Sequence, residues 1–406
     1  MSRTLPLPLE DAQARLLSLA TPLPVERVDI ASAVGRYLAE PVFARRTQPP
    51  ADLSAMDGYA VNGADLSGPW TVVGESAAGH PYSGSVAAGE AIRISTGAFM
   101  PAMAGAVILQ EDIGRDGETI TLTGEAPAPA GKHVRPEGMD FAAGNEILAG
   151  GIRIGPAQAA LAMTAGHNHV PVRRMPRITV IDSGDELSPD CENCPPHMIP
   201  ASNGTMLAAL ASGVPCIVDR PGPVRDDIDA ITEVLQRAAD ADIIVTSGGA
   251  SVGDHDLMRP ALEAWGAQLD FWRVAIKPGK PILVATRDTG ARQQIILGLP
   301  GNPVSSHVTA FLFMLPLLRA LLGAASPLPR RFRSRLTAPM PATGDRREFQ
   351  RAVWDGETVA ALAVQDSSAL AALAASNVLI DRPANSGTAQ AGDEVWAYLL
   401  ENGGIA

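Results

Sequence analysis

From Pro176 onward, apolar segments of strand length alternate with segments of helix length, and this alternation constrains the fold more than any other feature. "RITVID" reads as a strand, 203–211 as a helix, "VPCIVD" as a strand, 226–240 as a helix, "DIIVTS" as a strand and 256–265 as a helix. "PILVAT" and "QIILGL" add two strands, and 304–322 a further helix. Strands alternating with helices of about 10–15 residues predict βαβ units around a mostly parallel sheet. In such a sheet ligands bind beyond the carboxyl ends of the strands. The residues that follow each strand are therefore where chemistry is expected.

The rest of the chain has a different texture. Residues 9–20 have the pattern of an amphipathic helix, 28–38 of a second short element, and 156–165 of another helix. Between 41 and 149, short apolar runs such as "WTVVGES", "EAIRIST", "GAVILQED" and "ETITLTGE" are separated by Gly, Pro and Asp, the signature of a mostly β insertion. Past "SPLPRR" (326–331), short strands including "REFQRAVW", "NVLIDRP" and "DEVWAYLL" predict a small all-β domain. The 406 residues suggest two to four domains, at roughly 150 residues each. The expected division is a linking helical-extended segment (1–45 with 145–175), a β-rich insertion (46–144), an α/β domain (176–325) and a C-terminal β domain (326–406).

Composition narrows the function. A net charge of −12 with only 4% aromatic residues argues against general nucleic-acid binding and against docking on anionic membranes. Three cysteines, Cys191, Cys194 and Cys216, do not make an extracellular disulfide framework. The N-terminal stretch lacks the uninterrupted apolar core of a signal peptide. The most apolar stretch, 310–322, is interrupted by Pro316 and Arg319, is shorter than the roughly 20 residues of a membrane span, and reads as a buried helix. A soluble, cytoplasmic setting is expected.

Five predicted strand ends carry polar loops. They are Ser183-Gly184-Asp185-Glu186, 220–227 with Asp226 and Asp227, 248–256 with Gly248, Gly249, Ser251 and Asp256, 277–281 with Lys277 and Lys280, and 300–305 with Pro300, Asn302 and Ser305. Glycines let backbone N–H groups approach an anion, and a helix starting nearby adds its positive end. Two lysines supply point charges. Asp227 and Asp256 offer the hard oxygens that Mg²⁺ takes together with ligand oxygens. No P-loop and no dinucleotide fingerprint is present. Each piece has a plainer reading: a tight turn for Gly248-Gly249, a helix cap for Asp226-Asp227, solvated lysines at 277 and 280. It is their convergence on one sheet edge that points to a phosphorylated or oxyanionic ligand with a divalent metal. The first half adds "SAMDGYAV" (54–61), "IRISTGAFMP" (92–101) and 135–140, which reach the same ligand only across an interdomain or intersubunit cleft.

Those strings, with "SGDEL" (183–187), "TSGGASVGDHD" (246–256), "AIKPGKP" (275–281), "GLPGNPVS" (298–305) and "EFQRAV" (348–353), resemble the molybdopterin molybdenumtransferase family, known as MoeA in bacteria and as the E domain of gephyrin. The resemblance spans nearly the whole chain. It implies a molybdopterin-binding α/β domain, a β-rich insertion, a linking segment and a C-terminal β-barrel. It also implies a homodimer in which the insertion of one subunit faces the α/β domain of the other. The implied activity is Mg²⁺-assisted insertion of molybdate into adenylylated molybdopterin with release of AMP. Carried over by position, Asp57, Asp140, Asp227 and Asp256 are the functional aspartates, the last two holding metal. Thr96, Ser183, Asp185, Glu186, Gly248, Gly249, Ser251, Lys277, Lys280, Pro300, Asn302 and Ser305 bind substrate. Molybdopterin adenylyltransferase and molybdoenzyme apoproteins are the implied partners.

The chain departs from the family pattern at Leu53, where Asn is usual, at Met139, where an acid is usual, at Ser183 in place of Thr, and at Ala201 in place of Asp. These changes leave a second reading, a non-catalytic paralogue that binds the cofactor or scaffolds a partner. Cys191-x-x-Cys194 with His197 reads as a loop without metal, since a fourth ligand is not evident. Cys216 is expected inside a buried strand, and His167 and His169 on the surface.

Overall fold

The computed structural model describes residues 6–248 and 257–400. Strand order in the α/β sheet is Ile217–Asp219, Arg177–Ser183, Ile243–Ser247, Gln293–Leu299, Pro281–Asp288 and Gln268–Arg273. The first four are mutually parallel. The last two join in antiparallel fashion, because Pro281–Asp288 and Gln293–Leu299 are connected by a tight turn, Thr289 N–H to Arg292 O at 3.0 Å, rather than by a crossover helix. Gln268–Arg273 again runs with the parallel set, so the lysine loop that follows it emerges at the same edge as the other strand ends.

Alternation sets the two faces of this sheet. Ile178 and Val180 pack with Leu207 and Ala211 of helix Ser202–Ala211. Ile181 and Ile244 face Ile231 and Leu235 of helix Ile228–Arg237 on the other side. Helix Pro303–Leu321 is continuous over 19 residues and long and apolar enough to cross a membrane; 89% of its apolar window is buried inside the protein. It matches the helix expected over 304–322, and Pro316 lies inside it. A π segment at Ala310–Met314 has already shifted the hydrogen-bond register where Pro316 enters, so the proline does not end the helix.

Both ends of the β insertion are clamped by the linking segment. Val25–Asp29 pairs antiparallel with His169–Arg173, and Val42–Phe43 with Glu146–Leu148. His167 is buried here, contrary to its expected solvation: its Nε2 meets the Phe43 carbonyl at 2.8 Å and staples the helix exit to the strand. The insertion itself is a six-stranded sheet ordered Ala104–Leu109, Gly58–Asn62, Glu90–Ile94, Trp70–Ser76, Thr119–Leu122 and Ile113–Asp116.

The C-terminal strands close into a five-stranded barrel: Arg347–Trp354, Thr358–Ala361, Arg331–Leu336, Glu394–Leu399 and Val378–Arg382, the last pairing back onto the first. A two-residue strand from the α/β domain, Ile276–Lys277, adds in parallel to Arg347–Trp354. One core serves both units, since Phe349 and Tyr398 of the barrel join Phe311 of the long helix, with Phe311 and Tyr398 edge-on at 5.9 Å. This continuity fixes the barrel against the α/β domain.

Candidate functional site

A cleft of about 1640 Å³ lies between the carboxyl edge of the α/β sheet and the barrel. Of the residues singled out in the sequence, Ser183, Glu186, Gly248, Lys277, Lys280, Pro300, Asn302 and Ser305 line it. The strand ends are tied to one another before any ligand arrives. Ser183 Oγ donates to Asp226 Oδ1 at 2.9 Å, and the Gly184 N–H donates to the Val224 carbonyl at 3.1 Å. Gly248 sits at φ +91°, where a Cβ would lie 2.6 Å from the Ser183 carbonyl oxygen, so only glycine allows the two strand ends to meet this closely.

Two helices begin at this edge, Ser202–Ala211 and Pro303–Leu321, and their amino ends favour an anionic ligand. Lys277 ends the strand paired with the barrel and Lys280 follows it in the loop before Pro281, both exposed. Lys277 Nζ is 3.1 Å from Glu348 Oε1 of the barrel. Arg346, on the same barrel wall, adds a third cation. The site thus offers cations and helix dipoles in a partly enclosed volume, an arrangement suited to oxyanions.

Asp182 forms part of the floor. It is 2% exposed, its Oδ2 accepts the Gly204 N–H at 2.9 Å, and burial pushes its carboxyl above the ordinary range. Sequence reasoning gave no role to Asp182, nor to Asn203, which ties helix Ser202–Ala211 to two strand ends by donating to Ser247 Oγ at 2.9 Å and to the Gly301 carbonyl at 2.7 Å. The rule that loops after strands carry function would have found Asn203 had it been extended into the first turn of the next helix. Glu348 opens the string "EFQRAV" (348–353), whose local spacing does not mark it as a neighbour of Lys277. Ser367, which accepts from Asn302 Nδ2 at 3.1 Å and receives the Val304 N–H at 3.0 Å, had no sequence signal.

The remaining predicted residues lie elsewhere. Asp185 is at the outer edge of the loop, where its Oδ1 accepts the Asp226 N–H at 3.2 Å. Asp227 caps helix Ile228–Arg237, its Oδ1 accepting from Asp229 N–H at 3.1 Å and Ala230 N–H at 2.9 Å. The plainer reading of Asp227 as a cap is therefore met, with its side chain still exposed. Gly249, Ser251 and Asp256 lie outside the described residues.

Asp57 and Thr96 meet in the β insertion. Asp57 Oδ1 accepts the Thr96 N–H at 2.7 Å and the Thr96 hydroxyl at 3.1 Å. That N–H first, then the hydroxyl, hold the Asp57 carboxyl below the usual carboxylate range. Asp140 is exposed on a loop tied to 48–52, with its own N–H on the Gln48 carbonyl at 3.0 Å and the Glu137 N–H on Asp52 Oδ1 at 2.8 Å. None of Asp57, Thr96 and Asp140 lines the cleft of its own chain.

Cys191 is exposed and Cys194 half-buried. Among the described residues, no group of three or more His, Cys, Asp or Glu side chains is gathered as a metal cage. Cys216 lies just before the strand Ile217–Asp219 rather than within it, half-buried, and burial pushes its thiol up to about 11.

Fold and site together define a protein with an α/β sheet whose carboxyl-edge cleft is closed on one side by a barrel domain. Family models match along the chain: the MoeA N-terminal region (domain I and II) over residues 7–166, a probable molybdopterin binding domain over 179–320, and the MoeA C-terminal region (domain IV) over 333–400. A molybdopterin molybdenumtransferase of Haemophilus influenzae is 32% identical over 96% of this chain and 97% of its own length. A molybdopterin molybdenumtransferase 2 of Mycobacterium tuberculosis is 33% identical over 92% and 94%. The crystal structure of a molybdopterin biosynthesis MoeA protein from Pyrococcus horikoshii superposes with a TM-score of 0.83 at 28% identity, covering 98% of this chain and 100% of that one. The chain belongs to the molybdopterin molybdenumtransferase (MoeA) family.

Proposed function

We propose that this protein inserts molybdate into adenylylated molybdopterin and releases AMP, acting as a cytoplasmic homodimer. The observation that carries the reading is the cleft itself: two lysines and two helix amino ends at the sheet edge and an arginine on the barrel wall line one cleft, in a chain related over almost its full length to molybdopterin molybdenumtransferases. A water oxygen bonds to phosphorus as the phosphoanhydride between the pterin phosphate and AMP breaks, and molybdenum bonds to the two dithiolene sulfurs as one Mo–O bond breaks, that oxygen leaving as water with the two thiol protons.

The cleft residues, with others that the family resemblance assigns to the site, divide the tasks of that reaction. Lys277 and Lys280 neutralise oxyanion charge, on the substrate phosphate and on molybdate. Gly248, Asn302 and Ser305 offer backbone N–H, amide and hydroxyl donors to the phosphates; Pro300, which has no N–H, stiffens the turn before the long helix; and the family resemblance assigns Gly249 and Ser251 to the same task. Ser183, Asp185 and Glu186 shape the neighbouring loop. Asp227 and Asp256 are the carboxylates for Mg²⁺, a cation that commonly takes one or two protein carboxylates and completes its shell with substrate phosphates and water. Asp227 keeps its side chain exposed while capping its helix, and Mg²⁺ held by it would supply charge neutralisation for the phosphoanhydride.

Asp57, Thr96 and Asp140 belong to this site through the dimer, the insertion of one subunit facing the cleft of its partner. Their exposure on a domain that does not line its own cleft supports this arrangement. The functional division follows the expected segments 1–45 with 145–175, 46–144, 176–325 and 326–406. Molybdopterin adenylyltransferase is the proposed source of substrate, and molybdoenzyme apoproteins the recipients of product. No observation favours the non-catalytic reading: Met139 lies exposed on a loop and Ala201 occupies one place on the cleft wall. Incubation with adenylylated molybdopterin, Mg²⁺ and molybdate tests the proposal by AMP release.

A further inference from the structure

Lys277 enters the cleft on a strand that hydrogen-bonds with the barrel. Ile276 and Lys277 pair in parallel with Arg347 and Glu348, and Lys277 and Glu348 are direct register partners. Their side chains meet as well, Nζ to Oε1 at 3.1 Å. The Glu348 side chain is only 13% exposed, against 54% for Lys277, so the carboxylate is the fixed member and the ammonium the one that reaches toward solvent. Gln350 Nε2 donates to Glu348 Oε2 at 2.9 Å and sets the plane of the carboxylate. Phe349, between them, is buried in the core shared by the two units. Among the described residues, no ion pair is formed by Lys280, three positions further on.

A carboxylate beside a proposed oxyanion site works against anion binding by its own charge. Its presence in a half-enclosed cleft therefore has to act through something else that it holds. A lysine side chain carries about 2 kcal/mol of rotamer entropy, and an ammonium tethered at one proton keeps two protons aimed in fixed directions. Pre-organisation of this kind raises affinity by removing an ordering cost from the binding step.

We infer that Glu348 is a positioning residue for Lys277: the barrel carboxylate orients the ammonium so that its remaining protons bind a tetrahedral oxyanion, while Lys280 acts as a mobile counter-charge. The inference rests on the molybdate-dependent reading above. It makes the barrel a determinant of oxyanion recognition in the α/β cleft, through one ion pair across the domain boundary. The shared chemistry, a tetrahedral oxyanion, is presented both by molybdate and by the substrate phosphate, and kinetics separate the two.

The test is a double-mutant cycle on the full-length protein, with AMP release followed while molybdate and adenylylated molybdopterin are varied in turn. Glu348→Ala should raise the KM of one oxyanion-bearing substrate about tenfold, the equivalent of about 1.4 kcal/mol, and leave the KM of the other unchanged. The affected substrate identifies which oxyanion Lys277 holds. Lys277→Ala should raise the same KM at least as much. The double variant should be no worse than Lys277→Ala alone, because residues that act through one another are non-additive. Glu348→Gln keeps the side-chain volume and one acceptor, so it guards against a folding defect and should show a smaller rise in the same KM. Multiplicative effects in the double variant, or an unchanged or lowered KM for both substrates in Glu348→Ala and Glu348→Gln, would overturn the inference. Absence of AMP release by the unaltered protein would instead remove the functional reading beneath it.

Discussion

The carboxyl of Asp182 and the backbone of Gly204 are fitted to each other: Oδ2 accepts the Gly204 N–H at 2.9 Å, and a Cβ at 204 would lie 2.1 Å from that same oxygen. Helix Ser202–Ala211 has no side-chain cap from its own N-cap residue, Ala201. A strand-end aspartate serves one of its open N–H groups instead. The floor of the cleft and the start of that helix are thus a single construction.

Gly204→Ala tests this directly. In an unconstrained helix the change would stabilise by up to about 1 kcal/mol. Here the added methyl displaces a buried carboxylate from its donor, which costs about 1–3 kcal/mol. The loss wins, and chemical denaturation should show the variant less stable than the parent. Equal or greater stability would mean that the contact is not maintained in solution.

Burial raises the Asp182 carboxyl above its ordinary value of 3.8, despite the opposing Gly204 bond. The folded state therefore holds a proton that the unfolded chain has released, over the window between 3.8 and the raised folded value. In that window this group makes stability fall as pH rises, and above it the deficit is constant. Asp182→Asn keeps an acceptor for Gly204 without the titration. Relative to the parent, it should be more stable at neutral pH than at pH values near 4. Denaturation curves for both proteins across this range check the sign.

Thr96 holds Asp57 with two donors, and the backbone N–H contributes more than the hydroxyl to keeping the carboxyl low. Thr96→Val should raise the Asp57 pKa only part of the way toward 3.8, leaving the backbone share intact. Carboxyl-carbon chemical shifts followed by NMR titration report this. A full return to the ordinary value would show that the hydroxyl dominates.

If the insertion of one subunit completes the cleft of the other, two inactive variants should rescue each other. Asp57→Asn carries its lesion in the insertion, and Lys280→Gln in the cleft. Refolded together, they give heterodimers with one intact site in two, and about a quarter of parental activity in a statistical mixture. Activity no higher than that of either variant alone would place both residues in one subunit's site.

The fold was legible wherever periodicity was strong. Strands that open on an apolar run, such as Ile243–Ser247, buried along its whole length, announce a sheet covered on both faces. The antiparallel edge was not legible, because "PILVAT" and "QIILGL" read alike whether a turn or a helix joins them. His167 was misjudged because its partner, the Phe43 carbonyl, lies 124 residues away in sequence. The lining of the cleft was legible as far as strand ends report it, through Ser183, Gly248, Lys277, Lys280 and Asn302. Asp182, Asn203, Glu348 and Ser367 escaped because their significance lies in long-range contacts: Glu348 is 71 residues from Lys277, and Ser367 is 65 from Asn302.

AMP release bears most directly on the central claim. The purified protein is mixed with adenylylated molybdopterin and Mg²⁺, and AMP is quantified with and without molybdate. The account predicts AMP release that depends on molybdate and is strongly reduced in Lys280→Gln. Tight binding of the pterin with no AMP released, under conditions where another family member turns over, would contradict it.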